Sequence, residues 1–182
     1  MSFGSWDVNV QIGKMPQKVA TAFSALNDMV GAEYNMIAYL GSQQVNGVNH
    51  AVLAEQLLIT GKDTKNIVLV IFRETNEGVT LANIERIIEG GEAFGGINID
   101  VKTDIPEEAI QAFNTVMNGF VGSNVKPFAL LATQVVAGTN YIFAAEQTPV
   151  VKDPKANVSI ITVNSLNNSV TFQDVFKPKV VF

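Results

Sequence analysis

The sequence predicts an α+β chain of two tandem domains, each with one helix packed on a curved antiparallel β-sheet. Three observations carry this expectation. First, the chain repeats itself: at an offset of 91 residues, Gly47, Asn49, Glu55 and Gln56 fall on Gly138, Asn140, Glu146 and Gln147, and Val79-Thr80 falls on Val170-Thr171. Nearer each start the offset is 90, which brings Pro16, Ala22 and Phe23 onto Pro106, Ala112 and Phe113. A period this long exceeds the roughly 20 to 50 residues of solenoid and propeller units, so it reads as duplication of a whole domain. Second, each half carries one apolar stripe of helical period, preceded by a short apolar-polar alternation. Third, each half closes with β-branched and aromatic runs separated by turn residues. The expected boundaries are 1–89 and 95–182, each of a size that folds alone.

In the first half Trp6, Val8 and Val10 alternate as a strand. Val19, Ala22, Phe23, Leu26 and Val30 then form a helix stripe that Gly31 ends. Tyr34 to Leu40, Val48 to Thr60, Asn66 to Phe72 and Val79 to Ile84 supply four strands, and Asn46-Gly47 is a tight-hairpin signal. Glu89 to Gly96 is glycine-dense and reads as a linker. In the second half Ile97, Ile99 and Val101 alternate with Asn98, Asp100 and Lys102. Asp104 with Glu107 resembles a capping box, Pro106 suits a first helical turn, and Ala109, Phe113, Val116, Met117 and Phe120 make the stripe, with Gly122 as the stop. After Pro127, the runs Phe128 to Thr133, Thr139 to Gln147, Asn157 to Val163 and Val170 to Phe176 predict an antiparallel meander.

Composition narrows the function classes. An apolar fraction of 47% and a mean hydropathy of +0.22 supply two cores, yet no window approaches the ~20 uninterrupted apolar residues of a membrane-spanning helix. With a net charge of −5 and no cluster of Lys and Arg, the chain lacks the footprint of a phosphate-backbone binder, so neither nucleic acid nor membrane is an expected partner. Zero cysteines exclude disulfides, thiolate nucleophiles and thiolate metal sites. Met1 to Asp7 carry no basic and apolar signal segment. The expectation is a cytoplasmic protein if Met1 is the native start, and a secreted one if a leader has been removed.

One stretch is more specific than any of these. Gln134-Val135-Val136-Ala137-Gly138-Thr139-Asn140-Tyr141 resembles the first inhibitory hairpin of the cystatins, which block papain-like cysteine proteases. Pro127-Phe128, Asn164-Ser165-Leu166 and Val170-Thr171-Phe172 are also similar to stefins, the cysteine-free members of that family. The resemblance covers nearly the entire chain, with the second half the closer copy. It implies an inhibitor, not an enzyme, with no cofactor and no metal, whose partner is a papain-like protease filled by a three-part wedge. The first hairpin would be Gln134, Val135, Val136, Ala137 and Gly138. The trunk would contain Gly95 or Gly96, and the second hairpin would be Ser165, Leu166, Asn167 and Asn168. Asn167 stands where stefins tend to have proline. The family also allows exchange of the helix-bearing arm, hence a domain-swapped oligomer.

The first copy reads differently. Its loop, Gln43-Gln44-Val45-Asn46-Gly47, has polar residues where the wedge would be apolar. Its second turn, Arg73 to Gly78, is charged and costly to desolvate in a cleft. A degenerate copy is expected. His50 corresponds to Tyr141 and reads as a packing or edge residue rather than a base or a ligand. Glu55 and Glu146 recur in equivalent strands and read as solvent-facing, and Lys62, Asp63, Lys152 and Asp153 read as connecting turns. The rival expectation from another class is a binding or assembly module that pairs through its sheet edges.

Overall fold

The computed structural model describes residues 4–59 and 64–176. The chain divides between Glu89 and Gly90 into two compact units. Unit 1 contains β1 (Trp6–Ile12), α1 (Gln17–Ser24) continued by a 3-10 turn (Ala25–Asp28), β2 (Ala32–Gln44), β3 (Val48–Leu58), β4 (Thr64–Thr75) and β5 (Gly78–Glu89). Unit 2 repeats the order with β6 (Ile97–Lys102), α2 (Glu107–Met117), β7 (Ser123–Val136), β8 (Gly138–Pro149), β9 (Asn157–Asn164) and β10 (Val170–Asp174). Each unit has one five-stranded antiparallel meander, in the orders β1-β2-β3-β4-β5 and β10-β9-β8-β7-β6. No helix among the described residues is long and apolar enough to cross a membrane.

The class is mainly β, which corrects the α+β expectation: only 14% of the described residues are helical, in two short segments. Two physical causes shift the balance. Both helices stop early. The unit 2 stripe predicted to reach Phe120 breaks at Asn118, whose backbone is extended, so Phe120 lies outside the helix and stacks on Phe172 at 5.3 Å. In unit 1 the α-helix gives way to the 3-10 turn at Ala25, and Val30, expected in the stripe, is fully exposed. The strands, conversely, outrun their apolar patterns. β2 and β7 extend to 13 and 14 residues because pairing continues through Ser42, Gln43 and Gln134 toward the hairpin tips.

Other local expectations change too. Pro106 occupies the N-cap of α2 with no side-chain cap bond, so the Asp104–Glu107 box does not form. Proline holds φ near the required value but offers no side-chain acceptor to the first turn. The glycine-dense stretch is a folded turn rather than a loose tether. Gly91 N–H donates to the Ile97 carbonyl at 3.0 Å, and Gly96 N–H donates to the Ala93 carbonyl at 2.6 Å. A Cβ on Gly96 would overlap the Gly91 carbonyl, so this turn requires glycine there. Thr60, Lys62 and Asp63, and Met1 to Phe3, lie outside the described residues.

The duplication extends to backbone irregularities. β2 breaks register between Met36 and Ala38 and between Tyr39 and Gly41, while β7 does so between Pro127 and Ala129 and between Leu130 and Ala132, at equivalent positions. β1 and β6 carry a matching irregularity at Val8/Gln11 and Ile99/Lys102. Bulges bend a strand and increase its twist, so the two sheets share their built-in bends. Pro127 is tolerated because the pairing of β6 with β7 ends at Leu130, leaving Pro127 paired only to β8.

Each unit has its own core. In unit 1, Val19, Phe23 and Leu26 are buried with Tyr39, Val52, Val70 and Phe72, and Phe23 meets Phe72 edge-on at 6.3 Å. In unit 2, Ala109 and Phe113 share a buried cluster with Leu130, Phe143, Ile161 and Val163, and Phe113 meets Phe143 edge-on at 5.2 Å.

Candidate functional site

Strand register decides which loops share an end of the unit 2 sheet. Gln134 of β7 lies opposite Ile97 of β6 on one side and Asn140 of β8 on the other, and Asn140 lies opposite Asn164 of β9. The residues just before Ile97, the turn between β7 and β8, and the turn after Asn164 therefore emerge together. The structure thus unites the trunk residues Gly95 and Gly96, the hairpin Gln134 to Gly138, and the turn Ser165 to Asn167.

A chain of amides joins them. Gln134 Nε2 donates to the Gly95 carbonyl at 2.9 Å, and Asn140 Nδ2 donates to Gln134 Oε1 at 2.9 Å. Asn164 Nδ2 donates to Asn140 Oδ1 at 2.8 Å and to the Ala137 carbonyl at 3.2 Å. Its Oδ1 accepts the backbone N–H groups of Leu166 at 2.9 Å and Asn167 at 3.0 Å. Ser165 N–H donates to the Thr139 carbonyl at 3.0 Å, and Thr139 N–H donates to Ser165 Oγ at 3.3 Å. Hydrogen bonds aligned in series polarise one another.

The tip of the β7–β8 hairpin is tight: Val136 pairs with Gly138 across Ala137 alone. Gly138 has φ +87°, and a Cβ there would overlap the Leu166 Cβ. Glycine is thus required both by the backbone and by the close approach of the second turn. Above this frame Val135, Val136 and Leu166 are 67%, 43% and 66% exposed. Phe94, next to Gly95, is fully exposed. The result is an apolar crest on a hydrogen-bonded polar base, flanked by an open groove lined by Asn140, Thr162, Asn164 and Thr171.

Unit 1 repeats the base and changes the top. Gln43 Nε2 donates to the Gly4 carbonyl at 2.9 Å, and Asn49 Nδ2 donates to Gln43 Oε1 at 3.0 Å, as Gln134 and Asn140 do in unit 2. Arg73 stands where Asn164 does and donates from Nη2 to the Asn46 carbonyl at 2.7 Å. The tip is wider, with Asn46 at φ 42° and Gly47 at φ 112°, and it carries exposed Gln44 and Asn46 where unit 2 has exposed Val135 and Ala137, while Val45, the counterpart of exposed Val136, is half-buried. Beneath it runs a polar chain that unit 2 lacks. Lys18 Nζ donates to Glu74 Oε1 at 2.6 Å, His50 Nε2 donates to Glu74 Oε2 at 3.2 Å, and Tyr39 OH meets His50 Nδ1 at 3.0 Å. The Lys18 hydrogen bond, then that of His50, holds the Glu74 carboxyl below its ordinary range. Burial, followed by the negative charges of Asp7 and Glu74, pushes the Tyr39 phenol up, against a lowering bond from Ser42.

Sequence reasoning missed Gly4 as the unit 1 counterpart of Gly95, and quoted Asn164 without a role. The only available signal for both was the pair of repeated amides, Gln43/Asn49 and Gln134/Asn140. His50 is buried, with both ring nitrogens engaged by Tyr39 and Glu74. Glu55 is not solvent-facing: its side chain is 14% exposed and pairs with Lys65 Nζ at 3.3 Å. Glu146 is half-buried, while Lys152 and Asp153 are exposed beyond β8. No group of three His, Cys, Asp or Glu among the described residues is placed to hold a metal. Compared with known proteins, the chain matches no family model, no curated protein and no solved structure.

Proposed function

We propose that unit 2 is a reversible, tight-binding inhibitor of papain-like cysteine proteases, acting by insertion of its crest into the substrate cleft. One observation carries this reading. Three stretches far apart in the chain meet at one end of a sheet, are tied by hydrogen bonds from side-chain amides, and leave Val135, Val136 and Leu166 exposed. The trunk, Gly95 and Gly96, and the turn residues Ser165 and Asn167 complete the wedge. Its tip is a tight turn closed by the β7–β8 ladder, so the chain there resists being opened out into the separate, unpaired strand that a protease needs to present a peptide bond to its nucleophile. A contact of about 800 Å² per partner is ordinary for such complexes, and a preformed crest avoids most of the ordering cost.

Titration of papain with the whole chain tests this. The expected result is one-to-one inhibition, weakened about 30-fold or more in Gly138→Glu, the scale of losing a central anchor. Absence of inhibition by the folded wild-type chain overturns the reading.

A second reading, a binding or assembly module, is favoured by a separate observation. Away from the crest, Val30 and Ile59 in unit 1 and Val121 and Val150 in unit 2 are exposed at equivalent positions. Ile59 N–H donates to the Gly31 carbonyl as Val150 N–H donates to the Gly122 carbonyl. Sedimentation over a range of concentrations distinguishes it: a concentration-dependent oligomer without papain binding is its signature. A swap of the helix-bearing arm would give the same sedimentation result.

A further inference from the structure

We propose that Asn164 is the positioning residue that locks the first hairpin and the second turn of unit 2 into one preformed crest, so that the exposed valines and Leu166 arrive at a partner already aligned. The proposal deepens the inhibitor reading and rests on it for the partner. The locking itself is a property of the free protein.

Four contacts radiate from this one buried side chain. Its amide nitrogen has two protons, and each has its own acceptor: the Ala137 carbonyl at the tip of the first hairpin and Asn140 Oδ1 at the base. Its amide oxygen has two lone-pair directions, and each has a donor: the N–H groups of Leu166 and Asn167 in the second turn. Full use of all four capacities is an arrangement only an asparagine-sized amide satisfies here. Aspartate would supply both acceptors but no donor, and a shorter hydroxyl cannot span both hairpins.

The energetics follow from burial. Asn164 is 7% exposed, so any contact it loses leaves a desolvated polar group unpaired rather than handed to water. The turn is thereby fastened to the hairpin through side-chain bonds in addition to the Ser165–Thr139 backbone contact. Through Asn140 and Gln134 the same link reaches the Gly95 carbonyl, so the trunk shares the fixed geometry. Unit 1 places the longer, charged Arg73 at this position and gains only the tip carbonyl, Asn46 O, among the equivalent contacts.

The test has two arms. In the first, amide hydrogen exchange is followed in the free wild-type chain. Leu166 and Asn167 are exposed turn residues, yet their N–H groups are expected to exchange slowly, close to the neighbouring strand amides, and to lose that protection in Asn164→Ala, which removes the shared acceptor. In the second, papain inhibition by wild type and Asn164→Asp is compared across pH. Ionised aspartate faces the Ala137 carbonyl and Asn140 Oδ1 with no proton to give, whereas protonated aspartate restores one donor. The variant is therefore expected to bind about tenfold or more weakly near neutral pH and to recover on acidification, relative to wild type at each pH. Fast exchange at Leu166 and Asn167 in the wild type overturns the proposal. So does an Asn164→Ala protein with wild-type protection at those two amides, or an Asn164→Asp protein with wild-type affinity near neutral pH. If the wild type fails to inhibit papain, the inhibitor reading falls and the exchange arm alone decides the lock. The wild-type exchange measurement requires no variant to fold.

Discussion

Glu74 sits between an ammonium and an imidazole, with Lys18 Nζ at 2.6 Å and His50 Nε2 at 3.2 Å. Because its folded-state pKa is depressed, its contribution to stability is present above the unfolded carboxyl value and fades as pH falls through the folded one. Glu74→Gln is therefore expected to flatten the acid side of the unit 1 stability profile, with little change to unit 2. Urea unfolding at a series of pH values, followed by a unit 1 probe such as Trp6, checks this, and an unchanged acid limb refutes it. This network was only half legible beforehand. Its alignment with Tyr141 left His50 a packing or edge residue, and its partnership with Glu74 depends on the pairing of Val48 with Glu74, a register that no local pattern encodes. Asn164 was opaque for the same reason. A lone asparagine at a strand end acquires meaning only when Asn140 is placed opposite it. The hairpin Gln134 to Gly138 was readable because its residues are contiguous, and Gly138 because its φ requires glycine.

Among the elements, the strands were the more legible class. Alternation in Ile97 to Lys102 matches the observed burial of β6, with Ile99 inside and Asn98 and Asp100 outside. Helix ends were not legible, because stripe residues continue past the point where Asn118 turns extended and Val30 turns outward. That overextension of the helices, together with strands read too short, is why the chain was expected to be α+β rather than mainly β. The sheet cores set the cost of disruption. Phe143 is fully buried in β8 and meets Phe113, so Phe143→Ala is expected to cost about 3–5 kcal/mol in unit 2, read as a shift in its denaturant midpoint. At Gly41 of β2 the φ is +148° and a Cβ would overlap the Asp7 carbonyl of β1. Gly41→Ala is expected to loosen the pairing of β1 with β2, seen as faster amide exchange along Trp6 to Ile12. Retained protection in that strand counts against it. The equivalent residue of unit 2, Ala132, shows that the strain belongs to the local backbone and not to the position in the repeat.

For the molecule as a whole, duplication has preserved a frame and altered what the frame presents. Bulges, register and the amide pair Gln43/Asn49 or Gln134/Asn140 recur, whereas the tips diverge from Gln44-Val45-Asn46 to Val135-Val136-Ala137. Two units with separate cores are expected to depart from a single two-state transition. In calorimetry, Phe143→Ala should lower one component and leave the other in place, and a single cooperative transition that shifts as one would contradict this. The setting of the trunk has another consequence. Gly95 and Gly96 are internal residues, folded into a turn by the Gly91–Ile97 and Gly96–Ala93 hydrogen bonds. An aminopeptidase shortens a chain only from its N-terminal side, so it would have to digest the whole of unit 1 before it reached this segment. Gly95 and Gly96 are thereby shielded from progressive trimming from that side, and severing the chain there calls for an internal cut.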